Sequence, residues 1–143
     1  MKVIDGLIYD TIGFTCSCFD LLHAGHIIML QYAKARCDKL IVGLQTDPTL
    51  DRPDTKNKPI QSLDERRIQL EAVRYVDEVF TYDTEKDLYE KLLQIKPDVR
   101  ILGSDYIGKP FTGDDLGTKI YYHDRTHNYS STNLRKKIKE VEK

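Results

Sequence analysis

Residues 15–26 read Thr-Cys-Ser-Cys-Phe-Asp-Leu-Leu-His-Ala-Gly-His, and this stretch decides the predicted fold. The apolar run from Thr11 to Cys16 predicts a central strand, and Gly25 to Arg36 has the composition of a largely buried helix. Two histidines, His23 and His26, lie at the start of that helix, and their spacing places both rings on one face. The sequence therefore predicts a strand-to-helix corner with two imidazoles at a helix N-terminus.

Strand and helix patterns alternate along the rest of the chain. Four further strands are predicted, at 40–44, 78–82, 99–102 and 119–122. Three further helices are predicted, two beginning near Ser62 and Thr84 and a last one containing Leu134, Ile138 and Val141. Residues 1–10 fit either a short edge strand or a turn. This alternation predicts an α/β fold, a Rossmann-like open parallel sheet with helices on both faces, in a single domain over residues 1–143.

Composition narrows the class of protein. The chain has 143 residues, 40% of them hydrophobic, and a formal net charge of −1. This balance argues against a nucleic-acid-binding surface, and no apolar run reaches the about 20 residues of a membrane span. The N-terminus lacks the pattern of a signal peptide, and the odd set of three cysteines (Cys16, Cys18 and Cys37) has no disulfide-framework spacing. We therefore expect reduced thiols and a cytoplasmic location, with a redox or metal role for the cysteines as the alternative.

The polar chemistry of the sequence lies at predicted strand ends. In open parallel sheets the ligand lies beyond the carboxyl ends of the strands. The segments that follow those ends are 15–26, 45–58, 103–106 and 123–132. Because all four meet at one edge of the sheet, the sequence predicts a single site there.

The histidine corner suits phosphate. Gly25 leaves room for a ligand to approach the helix N-terminus, where N–H groups and the helix dipole favour an anion. Imidazole N–H groups could donate to phosphate oxygens as charge develops in a transition state. A zinc site and purely structural histidines remain alternatives, although spacing supplies no third zinc ligand.

The segment Cys18-Phe19-Asp20-Leu21-Leu22-His23-Ala24-Gly25-His26 resembles the His-x-Gly-His signature of the nucleotidyltransferase superfamily. More narrowly, it is similar to the small bacterial cytidylyltransferases typified by glycerol-3-phosphate cytidylyltransferase. The similarity continues in order through Gln45-Thr46-Asp47, Glu65-Arg66, Gly103-Ser104-Asp105-Tyr106 and the segment 125–132.

This resemblance implies an enzyme that transfers CMP from CTP to a phosphorylated small alcohol such as glycerol 3-phosphate. The products would be a CDP-alcohol and pyrophosphate, formed with Mg²⁺ and without a covalent enzyme intermediate. The resemblance also implies a homodimer. Two alternatives stay open: an adenylyltransferase that uses ATP on a sugar or cofactor phosphate, and a nucleotide-binding module without turnover.

The resemblance also implies residue roles. Catalytic roles are implied for His23, His26, Lys58 and Arg125. Nucleotide-binding roles are implied for Thr15, Cys16, Ser17, Cys18, Phe19, Asp20, Gly25, Lys56, Gly103, Asp105, Tyr106, Thr126, Ser130, Ser131 and Thr132. Asp20 would also lie near the metal and the triphosphate.

Several of these residues could have an ordinary structural or solvent-exposed role instead of a functional one. The two loop lysines could simply be solvated, the 103–105 segment could be an ordinary turn, and one of the three hydroxyl side chains could cap the last helix. Arg66 could contact phosphate or pair with Asp64 or Glu71 on its own helix.

The chain also departs from the family pattern. Ser17 and Cys18 stand where the family has Gly and Thr, Asn128 stands at the usual Gly, and Tyr106 at the usual Trp. These departures lie mostly where the acceptor is expected to bind.

Overall fold

The computed structural model describes residues 2–124 and 129–141. Its strands are β1 (Lys2–Ile4), β2 (Leu7–Tyr9), β3 (Ile12–Ser17), β4 (Lys39–Gln45), β5 (Glu78–Tyr82), β6 (Val99–Gly103) and β7 (Lys119–His123). Its helices are α1 (Ala24–Lys34), α2 (Leu63–Glu71), α3 (Glu85–Ile95) and α4 (Ser131–Val141). Short 3-10 turns span Pro48–Leu50 and Ser104–Tyr106.

The main sheet has the order β5-β4-β3-β6-β7, and all its neighbouring strands are parallel. The chain runs outward from β3 through β4 to β5, then crosses back to β6 and β7. The direction therefore switches between β3 and β6, which is where ligands bind in such sheets. The β3–β4 ladder continues to Ser17, but the β3–β6 ladder ends at Phe14 and Arg100. Beyond these residues β3 and β6 no longer pair with each other, so their carboxyl ends separate at the switch point.

Apolar side chains cover both faces of this sheet. In β4, Leu40, Val42 and Leu44 belong to one buried cluster, which includes Leu30 of α1 and Leu70 of α2. Each such buried leucine contributes on the order of 2 kcal/mol through removal of apolar surface from water.

The opposite cluster of the core contains Ile41 of β4, Phe14 of β3, and Leu88 and Leu92 of α3. Because helices cover both faces, all seven residues of β4 are buried. The predicted Rossmann-like sheet with helices on both faces is confirmed.

Three details differ from the sequence prediction. Residues 2–9 form an antiparallel hairpin apart from the main sheet, with Asp5 and Gly6 both at positive φ, as a tight two-residue turn requires. Helix α2 ends at Glu71, before the predicted Arg74. Helix α1 is less buried than predicted, with Ile28 exposed.

Among the described residues, no helix combines the length and apolar character needed to cross a bilayer.

Candidate active site

Two histidines close the N-terminus of α1. His23 is the N-cap residue, and its Nδ1 accepts from the Gly25 N–H at 3.0 Å. The His23 N–H donates to His26 Nδ1 at 3.2 Å, and the two rings stack with centroids 3.9 Å apart. Because both Nδ1 atoms accept hydrogen bonds, each neutral imidazole carries its proton on Nε2. The corner therefore brings the Nε2–H groups of two imidazoles close together.

The backbone before α1 is strained at two positions. Phe19 and Leu21 have φ values of 49° and 53°, in the left-handed region that side chains other than glycine rarely adopt. The Phe19 side chain is 1% exposed, and its ring lies 5.3 Å from the His26 ring. The Phe19 side chain therefore anchors this turn in the core and supports the histidine, and the contact of Phe19 with nucleotide stays a prediction.

The other predicted residues of the β3 end divide between core and surface. Thr15 is buried, and its Oγ1 donates to the Ile101 carbonyl at 3.0 Å across the switch point. Cys16 lies on the other face of the sheet with Sγ 3.9 Å from Arg100 Nη2, while Ser17 is exposed. Ser17 is thus the side chain of β3 that is accessible at the switch point.

The three cysteines share a perturbed thiol chemistry. Burial raises the pKa of Cys16, Cys18 and Cys37, the last to about 11. A thiol with a raised pKa is a poor nucleophile at neutral pH.

Among the described residues, no group of three or more His, Cys, Asp or Glu side chains could hold a metal ion.

Gly25 is required by the protein's own packing. A Cβ at this position would lie 2.8 Å from the backbone oxygen of Tyr129 and 2.8 Å from Cε1 of His23. Tyr129, two residues before α4, therefore packs directly over the N-terminus of α1. This packing role adds to the predicted one, in which Gly25 lets a ligand approach the helix N-terminus.

Asp20 lies between the two strained residues and is 6% exposed. Its carboxylate accepts from the Ile60 N–H at 2.9 Å, from the Gln61 N–H at 3.0 Å and from Arg135 Nη2 at 2.7 Å. Burial raises the pKa of Asp20, but these hydrogen bonds and the charge of Arg135 outweigh it and hold the pKa below its usual range. Both oxygens are engaged, so the predicted metal role gains no support from this geometry.

Two of the three hydroxyl side chains at the start of α4 have structural partners. Ser130 Oγ accepts from the Asn133 N–H at 3.0 Å and so caps the helix. Ser131 Oγ donates to the backbone oxygen of Asp20 at 2.7 Å, whereas Thr132 is exposed. The sequence predicts three hydroxyl groups that cap the helix or hold phosphate, with capping expected for one of them; the structure gives structural partners to two of the three.

The segment between β4 and α2, residues 46–62, is called the lysine loop here because it carries Lys56 and Lys58. Both lysines are exposed, and the Lys58 side chain is 80% accessible, with Nζ 4.0 Å from Asp47 Oδ2. Hydrogen bonds from Thr49 to Asp47 hold the pKa of that carboxyl below its usual range. The far end of the loop is held at the corner, where Gln61 Oε1 accepts from the Leu21 N–H at 2.8 Å.

Arg66 has a role that the sequence argument missed. It is 2% exposed and donates to the carbonyls of Cys18, Gln45 and Thr46 at 2.6–3.1 Å. The predicted surface ion pair is therefore wrong, because the guanidinium is buried and joins the ends of β3 and β4, whereas the predicted phosphate contact stays a prediction. A signal was present, since Arg66 shares a helical face with the core residue Leu70.

The remaining predicted residues lie beyond β6 and β7. Gly103 ends β6, and Asp105 and Tyr106 lie in the 3-10 turn that follows, with Asp105 exposed at the switch point. Arg125 and Thr126 lie outside the described residues.

The fold and its histidine corner define a class of protein, the nucleotidyltransferases of the His-x-Gly-His superfamily, and the chain is an enzyme of this class. A family model described as cytidylyltransferase-like matches residues 14–137. The chain belongs to this cytidylyltransferase-like family.

Similar proteins with curated names are called "Bifunctional protein HldE". The protein from Wolinella succinogenes is 41% identical over 127 residues, which cover 89% of this chain and 27% of that protein. The one from Helicobacter pylori is 37% identical over 141 residues, which cover 98% of this chain and 30% of that protein. The chain thus spans less than a third of the length of these relatives.

Solved structures share the fold. A pantoate-beta-alanine ligase from Francisella tularensis, complexed with beta-gamma ATP and beta-alanine, superposes with a TM-score of 0.60 at 26% identity, covering 96% of this chain and 72% of that chain. A lipopolysaccharide core biosynthesis protein from Thermoplasma volcanium superposes with a TM-score of 0.58 at 24% identity, covering 92% and 88%. The second likeness shows the fold alone.

Proposed function

We propose that this chain is an adenylyltransferase that transfers AMP from ATP to a sugar phosphate and releases pyrophosphate. Similarity to the HldE proteins supports ATP and a sugar phosphate better than CTP and glycerol 3-phosphate. ATP is also the nucleotide named in the complex of the Francisella ligase. The first hypothesis, CTP, has the description of the family model in its favour.

The observation that carries the proposal is the pair of Nε2–H groups at the N-terminus of α1. In the proposed reaction, an oxygen of the acceptor phosphate attacks the α-phosphorus of the nucleotide. A new P–O bond forms, the bond from the α-phosphorus to the α,β-bridging oxygen breaks, and pyrophosphate leaves with that electron pair. The paired donors and the helix N-terminus stabilise the negative charge that develops on the α-phosphate and the leaving group.

The other segments have separate tasks in this proposal. Lys58 and Lys56 bring positive charge to the triphosphate from an exposed loop, and Arg125 binds phosphate from the segment before α4. Asp105 and Tyr106, with the backbone at Gly103, face the nucleotide from the end of β6. Ser17 faces it from the end of β3 across the switch point.

Mg²⁺ is expected with the triphosphate, as nucleotidyltransferases commonly use it. The described residues do not fit a resident ion, because the Asp20 carboxylate is occupied by two N–H groups and Arg135. The homodimer, the cytoplasmic location and the single domain over residues 1–143 stay predictions.

The proposal is tested by following pyrophosphate release from the purified chain with Mg²⁺ and either ATP or CTP. The acceptors are hexose and heptose 1-phosphates, glycerol 3-phosphate and phosphopantetheine, and a His23→Asn/His26→Asn double variant gives the background rate. We expect release with ATP and a sugar phosphate. Release confined to CTP with glycerol 3-phosphate would restore the first hypothesis, and nucleotide binding without release from any pair would indicate a binding module.

A further inference from the structure

Asp20 connects parts of the chain that are far apart in sequence. Its carboxylate accepts from backbone N–H groups 40 and 41 residues away, at Ile60 and Gln61, and from the guanidinium of Arg135, 115 residues away. One oxygen, Oδ2, accepts from both Ile60 and Arg135. The two segments therefore meet at a single atom of the histidine corner.

The contact with α4 is reinforced by two neighbours. Ser131 Oγ donates to the Asp20 backbone oxygen at 2.7 Å, and the Tyr129 carbonyl oxygen lies 2.8 Å from the position that a Cβ of Gly25 would take. The Asp20–Arg135 pair is largely withdrawn from water, with side-chain exposures of 7% and 24%. Removing one partner of an ion pair this protected from solvent costs more than removing a partner of an exposed pair, because the other charge is left buried and unpaired.

We propose that Asp20 and Arg135 are positioning residues, which hold the end of the lysine loop and the start of α4 in one arrangement around the histidine pair. The physical reason is the shared carboxylate. When Arg135 no longer binds Oδ2, the carboxylate is less firmly held, and the hydrogen bonds that it accepts from the Ile60 and Gln61 N–H groups weaken. The consequence for turnover rests on the proposed function. The coupling between α4 and the loop does not.

The test uses Arg135→Gln, with Lys136→Gln as a matched control, because Lys136 is an exposed cation on the same helix. Amide hydrogen exchange of the ligand-free protein is measured at Ile60 and Gln61. We expect their protection to fall about tenfold in Arg135→Gln, as the loss of a charged hydrogen bond implies, and to stay unchanged in the control. Arg135→Lys, which restores a cation near Asp20, should recover part of the protection.

A purely local role of Arg135 in α4 would leave the amides of Ile60 and Gln61 unaffected, and that result would overturn the proposal. The variant Asp20→Asn and its combination with Arg135→Gln give a second test that tolerates loss of stability. If the two side chains act as one link, the double variant exchanges like Asp20→Asn alone. Additive effects would contradict the link.

Turnover is measured separately. With the nucleotide and acceptor that the substrate panel identifies, kcat/KM for the nucleotide should fall about tenfold in Arg135→Gln, because the phosphate-binding segments are displaced. An unchanged kcat/KM would show that the contact between Asp20 and Arg135 does not contribute to catalysis. If no pair in the panel reacts, the proposed function fails, and the exchange experiment still decides whether the link exists.

Discussion

The histidine corner and the lysine loop, two regions that the proposed reaction needs together, are built in opposite ways. At the corner, both imidazoles are fixed by hydrogen bonds of the α1 cap, and the neighbouring ring of Phe19 is buried. In the loop, the Lys58 side chain is 80% accessible, and its nearest carboxylate oxygen is 4.0 Å away. The corner is thus organised before substrate arrives, whereas the Lys58 side chain is largely exposed to solvent.

This difference separates what each region contributes to folding and to catalysis. The corner histidines also cap a helix, so a substitution that removes the cap acceptor disturbs the fold and the chemistry together. An exposed lysine with one distant carboxylate contributes little to stability. Variants can therefore be chosen to isolate each contribution.

The largest effect is expected from His26→Asn. The asparagine Oδ1 can replace Nδ1 as the acceptor for the His23 N–H, so the cap of α1 is kept while the Nε2–H donor is lost. We expect kcat to fall about 100- to 1,000-fold, the usual cost of losing a preorganised donor to a developing oxyanion. The measurement is pyrophosphate release under saturating substrates, together with the melting temperature.

His26→Gln is the matched control for this variant, since its amide nitrogen can occupy the position of Nε2. Its kcat should lie between those of the wild type and His26→Asn. A His26→Asn protein that keeps its kcat would show that the corner is only structural, which would remove one side of the comparison.

Much of the corner could be predicted from the sequence, because its signals are local. The apolar run of β3, the histidine spacing and Gly25 lie within a few residues of one another, so periodicity and turn chemistry identify strand, turn and helix. The same local patterns gave the order of strands and helices, from which the parallel sheet follows.

The structural roles of Asp20 and Arg66 could not be predicted in this way, because the contacts that define them join residues far apart in sequence. Asp20 meets Arg135 across 115 residues, and Arg66 meets the Cys18 carbonyl across 48. A pattern of polar residues at strand ends indicates where a site lies. It does not say which of those side chains, such as Ser131, are used to hold the site together.

A smaller effect is expected from Lys58→Ala. We expect KM for the nucleotide to rise about tenfold, with the difference from wild type shrinking as salt is added, because an exposed charge is screened. The melting temperature should stay unchanged. Lys86→Ala, an exposed lysine at the start of α3, is the control. If Lys58→Ala lowers the melting temperature and Lys86→Ala does not, then the Lys58 side chain is part of the fold, and the contrast between the two regions fails.

The smallest effect, a pH dependence of stability, concerns Asp20, where the corner meets the end of the loop. Because the fold holds the pKa of Asp20 below its usual range, the carboxylate stabilises the protein above about pH 4, and this contribution is lost as the pH falls through the folded-state pKa. Asp20→Asn should therefore cost about 2 kcal/mol of unfolding free energy at pH 7 and clearly less at pH 3, measured by urea denaturation. Asp54→Asn, at an exposed carboxyl of the same loop, should change stability by less than about 0.5 kcal/mol at pH 7. An equal deficit of Asp20→Asn at both pH values would mean that Asp20 acts through its shape, and the corner would then hold the loop by packing instead of charge.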